Sequence, residues 1–240
     1  IGTEESMKRI SLEDVKKCYY SYYAPNNAIL VIVGDFEQER AMRMVKKYFE
    51  PIPKRKISSI SFPEFIPEQE IVKTYKNVFI PLPVIHLGYL IPQYTHSDYY
   101  PLKLLEYILL KGKSSRLLNR LIEKERLIFQ IDGGIEKKGD LLLFKIFVIN
   151  NNVLTMDRCL NIIISEINKL KRRYISEKEL QRIKNKFKAD YYRKFSSTLE
   201  KAIFLANRII DQKSMNSLEE ELNNYMEVTS IDLMRIAVSY

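Results

Sequence analysis

The reading of the fold turns on Tyr22-Tyr23-Ala24-Pro25-Asn26-Asn27-Ala28-Ile29-Leu30-Val31-Ile32-Val33-Gly34-Asp35. Pro25 cannot continue a helix and biases Ala24 away from helical angles. Asn26 and Asn27 tolerate the tight turn that follows. Ile29 to Val33 is an unbroken apolar run rich in β-branched residues, and is expected to be a strand buried on both faces. Gly34-Asp35 ends it. The preceding helix opens at Ser11-Leu12-Glu13-Asp14, a capping-box pattern with Asp14 in place of the usual Glu or Gln. The next helix runs from Glu37 to Phe49, its apolar stripe made by Met42, Val45 and Phe49. Helix, turn, buried strand and helix are expected to form one packed unit.

Working outward, residues 51–67 hold Pro51, Pro53, Pro63 and Pro67 with Ser58, Ser59 and Ser61, and read as a semi-extended interdomain linker. Beyond it the periodicity changes. Glu70 to Phe79 and Val84 to Leu90 read as strands. Asp98 caps or opens a helix through Leu110, and Ser114 or Ser115 starts another to about Arg126. Phe129 to Lys137 and Leu141 to Ile149 form two strands around Lys138-Gly139-Asp140, a plausible hairpin turn. Helices follow over Leu154 to Tyr174, from a full capping box at Ser176-Glu177-Lys178-Glu179 towards Phe195, over Leu199 to Asp211, and over Leu218 to Met226. Ser196-Ser197 breaks or bends the chain between two of them. A final helix starts near Thr229.

That last segment repeats the first. At an offset of 218, Thr229 falls on Ser11, Asp232 on Asp14, Leu233 on Val15, and Ser239-Tyr240 on Ser21-Tyr22. The repeat describes a duplicated α+β unit, with the chain opening near the end of copy one and stopping before the last strand of copy two. On this reading the sheet of copy two lacks a strand, and residues 29–33 are expected to cap that edge in cis or in a dimer, because an open sheet edge invites pairing.

At 240 residues the chain holds one large domain, or one domain and part of another. It opens on Ile1 rather than Met, as a fragment or processed product would. Lys or Arg interrupts every apolar stretch well before about 18 residues, so no membrane-spanning helix is expected. Cys18 and Cys159 both fall in expected helices and read as two buried thiols, with no disulfide framework and no cysteine-based metal site. The formal charge of +9 comes from 39 Lys+Arg against 30 Asp+Glu. These residues are spread along helices, and read as solvated faces rather than a nucleic-acid or membrane surface.

The segment from Ser11 to Pro53 resembles the closing part of the catalytic domain in the pitrilysin/insulinase family of zinc metallopeptidases. It carries Tyr22-Tyr23, Pro25-Asn26-Asn27, Gly34-Asp35, Tyr48-Phe49 and Pro51-Ile52-Pro53 in that family's order. Gly112-Lys113-Ser114-Ser115-Arg116-Leu117, followed by Glu123-Lys124 and Leu127, is similar to the glycine-rich Ser-Ser-Arg-Leu helix of the family's non-metal domain. The resemblance implies an α+β fold of two layers, a mainly antiparallel sheet with helices on one face, preceded by a helix–strand–helix remnant of a first copy. It implies three parts: 1–50 as the end of the metal-bearing domain, 51–67 as linker, and 68–240 as the non-metal domain lacking its last strand.

The family's zinc is held by a His-x-x-Glu-His helix and a distal Glu, with the first Glu activating the bound water. Nothing here matches. The only histidines are His86, expected as a hydrogen-bonded strand residue, and His96, expected in a loop or at an N-cap. Zinc is therefore implied for the parent protein and not for this chain. The family also places an Arg and a Tyr after the Ser-Ser-Arg-Leu helix to bind substrate and stabilise the oxyanion. The matching positions are Ile122 and Phe129, neither of which donates a hydrogen bond, and the glycine-rich loop is reduced to Lys111-Gly112-Lys113. No catalytic, substrate-binding or metal-ligating residue is assigned. P-loop and dinucleotide fingerprints are absent, and Ser114-Ser115 has no nearby His to make it a nucleophile.

These readings make the chain the non-catalytic half of a zinc-dependent peptidase. It would close a peptide-enclosing chamber, present a wall to the peptide substrate and position the metal-bearing partner. The Arg/Tyr pair would come from another subunit or another half of a longer chain. A proteolytically inactive scaffold of the same family is the alternative, and nucleic-acid binding through the positive surface comes third.

Overall fold

A computed structural model describes residues 2–58, 69–75, 81–139, 141–212 and 218–240. The chain divides into two compact units, Ile1–Pro63 with Lys194–Ile210, and Glu64–Arg193 with Asp211–Tyr240.

In the first unit, α1 spans Glu4–Lys8, α2 Leu12–Tyr22 and α3 Gln38–Phe49, with a 3-10 turn over Pro25–Asn27 between the last two. The capping box at α2 forms as the sequence predicts: the Asp14 N–H donates to Ser11 Oγ at 3.2 Å, and the Ser11 N–H donates to Asp14 Oδ2 at 2.9 Å. The Pro25–Asn27 turn is fastened to the chain after α3. Asn26 Nδ2 donates to the Arg55 carbonyl at 2.9 Å and the Arg55 N–H donates back to Asn26 Oδ1 at 3.1 Å. The Arg55 guanidinium lies 4.8 Å from the Tyr20 ring centre. Of the expected linker, residues 59–67 lie outside the described residues.

The expected buried strand at 29–33 is not found. The segment joins no sheet, and Ile29, Leu30 and Ile32 are 46%, 55% and 48% exposed. A doubly covered strand needs neighbours on both edges and a layer on each face. Residues 2–58 supply neither, since Ala24 is the one buried residue among them. Capping of a sheet edge by 29–33 in cis is likewise not seen. Cys18, expected to be buried, is exposed on α2 for the same reason, whereas Cys159 is buried. α8, Thr198–Gln212, begins after Ser196-Ser197 break the preceding helix, with Ser197 Oγ accepting from the Glu200 N–H at 3.1 Å.

The second unit is built on β1 Val84–Ile91, β2 Ile128–Lys138 and β3 Leu141–Asn150, antiparallel in the order β1-β3-β2. Gly139, with φ 60°, allows the tight link between β2 and β3. The expected strand at Glu70 to Phe79 has no ladder over 70–75, and 76–79 lie outside the described residues. Along β3, Leu142, Phe144, Ile146 and Val148 are buried while Leu143, Lys145, Phe147 and Ile149 are half-buried. This two-residue alternation puts one face of the sheet against helices.

Those helices are α4 Tyr99–Leu109, α5 Arg116–Leu118 with a wide turn to Lys124, α6 Met156–Arg172, α7 Glu177–Arg193, α9 Leu218–Glu227 and α10 Ser230–Ser239. An aromatic cluster joins three of them: Phe187 of α7 lies 5.3 Å from Tyr107 of α4 and 4.2 Å from Tyr225 of α9, ring centre to ring centre. Such ring pairs add about 0.5–1.5 kcal/mol each beyond their buried area. An apolar cavity of about 130 Å³ remains between β1 and helices α4, α6 and α10, lined by Tyr89, Phe144, Leu105, Ile167 and Ile236 among others.

Two expected caps are used differently. Asp98 precedes α4 but makes no side-chain cap; its carboxylate accepts from Arg235 Nη2 at 2.8 Å and Tyr240 Oη at 3.1 Å, tying α10 to α4. At α7, Ser176 Oγ accepts from the Glu179 N–H at 3.2 Å, but the Glu179 carboxylate does not close the box and pairs with Arg116 instead. In both cases an arginine brought close by tertiary packing takes the carboxylate in place of a backbone N–H, because a full positive charge attracts it more strongly than an amide dipole does.

Two outcomes follow from this packing. The hydrogen bond from Arg235, with that from Tyr240, holds the Asp98 carboxyl below its ordinary range. A depressed carboxyl contributes stability at neutral pH that is lost as pH falls through its folded-state value. Urea melts should therefore show Asp98→Asn less stable than wild type by about 1 kcal/mol at pH 7, a figure discounted because Arg235 is half exposed, with the difference closing in acid. Arg126, before β2, has φ 52°, the left-handed region that costs a side chain about 1–2 kcal/mol. Arg126→Gly should raise the denaturation midpoint by an amount worth about 0.5–1 kcal/mol, after the extra unfolded-state entropy of glycine.

Candidate functional site

The Ser-Ser-Arg-Leu motif lies where α4 gives way to α5. Gly112 takes φ 91° in the connection, and Ser115 occupies the N-cap position of α5. Arg116 points at α7 and makes a two-pronged pair with Glu179, Nε to Oε1 at 2.9 Å and Nη2 to Oε2 at 2.8 Å. This pairing holds the Glu179 carboxyl below its ordinary range. Ser114 Oγ accepts from Arg182 on the same helix. Leu117 and Leu121 are wholly buried. The motif is thus tied to α7 through Arg116 and Ser114.

Ile122 is half-buried on the wide turn that ends at Lys124, and Phe129 is 70% exposed near the start of β2. The β2–β3 register slips between Ile128 and Gln130, leaving Phe129 as the extra residue of a bulge. A bulge re-aims its side chain out of the strand's alternation, a placement that period-two reading could not foresee. Position 129 is therefore presented to solvent, but by a ring with no donor.

One polar cluster was not legible in sequence. Behind β2, Gly133 and Gly134 leave space that side chains would fill: a Cβ on Gly134 would come within 2.6 Å of Glu106 Oε1. Glu106 of α4 is buried and pairs with Lys103 at 2.5 Å and Lys111 at 3.3 Å, while Lys111 Nζ donates to the Gly133 carbonyl at 3.1 Å. Glu106, Lys111, Gly133 and Gly134 line, with Asp132, Glu136 and Lys145, a polar cavity of about 190 Å³. Hydrogen bonds from Lys138 and Lys145 pull the Glu136 carboxyl down to about 2. Each carboxylate here but Asp132 has a lysine partner, and Asp132 Oδ1 accepts from the Gly133 N–H at 2.7 Å. Gly133-Gly134 in an otherwise apolar and charged strand was the one available sign.

His86 and His96 are not brought together. His86 lies on β1, exposed, with its ring edge-on to Phe147 at 5.6 Å; burial, then Lys145, pushes its imidazole below the ordinary value. Among the described residues the ring makes this contact and not the hydrogen bond expected of it. His96 lies before α4, where its Nδ1 accepts from the Asp98 N–H at 3.1 Å. Among the described residues no group of three or more His, Cys, Asp or Glu could hold a metal ion. Among those residues, too, no helix is long and apolar enough to cross a membrane.

Against known proteins, residues 9–187 match the family model described as the peptidase M16 inactive domain. The chain is 28% identical over 244 residues to zinc protease PqqE of Helicobacter pylori, all of this chain aligning with 54% of that protein. The crystal structure of a protease from Helicobacter pylori superposes with a TM-score of 0.88 at 28% identity, over all of this chain and 58% of that one. The peptidase M16 inactive domain from Pseudomonas fluorescens superposes with a TM-score of 0.80 at 16% identity, over all of this chain and 57% of that one. The chain thus spans about half the length of the relatives it matches. With a two-layer α+β fold and this match over most of its length, the chain belongs to the peptidase M16 family and carries its inactive domain.

Proposed function

We propose that this chain is the non-catalytic part of a zinc-dependent peptidase that hydrolyses peptides, with the metal-bearing domain supplied by the remainder of a longer protein. Residues 1–50 are the closing piece of that metal-bearing domain, 51–67 the linker, and 68–240 the non-metal domain. Its tasks are to close the substrate chamber, to offer the peptide a wall, and to position the metal-bearing domain.

One observation carries the reading. Residues 2–58 form two sizeable helices and an apolar segment, yet bury only Ala24 and expose Leu12, Val15, Ile29, Leu30, Met42, Phe49 and others. Amphipathic helices and an apolar run of this kind are stable when a further layer covers them. A relative called a zinc protease, nearly twice the length of this chain, supports the same division. The scaffold alternative is favoured by Ile122 and Phe129, because a peptidase needs donors for the developing oxyanion that these side chains cannot provide.

The purified chain with added zinc should cleave no quenched-fluorescence peptide, whereas the full-length protein containing it should cleave such peptides and lose the activity to a chelator. Cleavage by the chain alone would overturn the division of labour. A full-length protein that binds zinc but cleaves nothing would favour the scaffold.

A further inference from the structure

The repeat at offset 218 can be followed atom by atom. Ser11 and Thr229 cap α2 and α10 with ψ of 164° and 167°. The N–H to carboxylate bonds are 2.9 Å in both, the N–H to hydroxyl bonds 3.2 Å in both, and the hydroxyl to carboxylate bonds 2.7 and 2.6 Å. With the starts in register, Val15, Cys18, Lys17 and Tyr22 of α2 correspond to Leu233, Ile236, Arg235 and Tyr240 of α10.

The two helices differ in what covers them. Leu233 and Ile236 are 1% and 0% exposed, and Arg235 and Tyr240 clamp the Asp98 carboxylate at the start of α4. Val15 is 54% exposed and Cys18 is exposed. Lys17 keeps the cation and Tyr22 the phenol, but among the described residues neither side chain is seen paired with a carboxylate. Asp14 is already engaged in the capping box, as Asp232 is in the second copy.

Resting on the division proposed above, we infer that the Val15–Cys18 face of α2 receives a helix layer of the metal-bearing domain, with a carboxylate of that domain seated between Lys17 and Tyr22. The argument for this occupant is charge complementarity added to apolar cover. A cation and a phenol at the spacing that grips Asp98 call for an acidic residue at the start of a packed helix, and the valine and thiol beside them call for apolar side chains. The Asp98 clamp shows that this α+β unit uses such a contact.

Cys18 and Cys159 provide the test. Maleimide should label Cys18 readily in the isolated chain, and at least about tenfold more slowly in the full-length protein, while Cys159, wholly buried, stays protected in both and reports any global unfolding. In the full-length protein Lys17→Glu should restore most of the Cys18 labelling rate with Cys159 still protected, and Lys17→Arg should not. If Lys17→Glu exposes Cys159 as well, Lys17→Gln, which removes the cation without reversing it, takes its place, with the same partial restoration expected. Cys18 labelling equally fast in both contexts, or protection indifferent to all three variants, would overturn the inference. Peptide cleavage by the same full-length preparation tests the division separately: zinc-dependent cleavage with Cys18 fully reactive sinks the docking surface alone, and absence of cleavage with Cys18 protected sinks the peptidase reading alone.

Discussion

A strand apolar along its length is held in place by partners at its edges and by cover over its apolar face. β3 meets that condition, with β1 on one side, β2 on the other and helices over Leu142, Phe144, Ile146 and Val148. The second unit follows from it. α4 and α6 bury their stripes against this face, α7 and α9 are held to α4 through the Phe187 cluster, and Asp98 pins α10 across the start of α4. The segment 29–33 is as apolar as β3 and meets none of the condition, although its sequence reads as a strand. The contrast is one of surroundings and not of composition.

Charge does its work here in packing. Arg116 with Glu179, Lys103 and Lys111 with Glu106, and Arg235 with Asp98 each join elements or brace a turn at the margin of the apolar core. Half-buried pairs of this kind add specificity of placement more than free energy. The Ser-Ser-Arg-Leu segment is fixed in the same way, with Leu117 and Leu121 wholly buried and Arg116 paired with Glu179.

Much was readable from residues alone. The α2 and α10 capping boxes, the helix stop at Pro25, the β2–β3 hairpin around Gly139 and the break at Ser196-Ser197 are local effects, set within a few residues by side chains reaching their own backbone or by prohibited angles. The offset-218 repeat was legible for that reason, because a capping box has a fixed spacing and its geometry recurs to within about a tenth of an ångström. The lack of a zinc-ligand helix was equally plain, since that motif is also local.

Sequence by itself determined the helices set by their own caps and breakers, the β2–β3 hairpin and the resemblance to the family, because each is written in adjacent or helically spaced residues. Tertiary structure alone decided that Cys18 is exposed and Cys159 buried, that Glu179 leaves its capping box for Arg116, that Phe129 falls in a bulge, and that 29–33 is unpaired. The physical reason is common to all four. Burial, ion-pair choice and strand register are settled by what lies opposite a residue in space, and no one-dimensional pattern states which neighbour arrives first or whether one arrives.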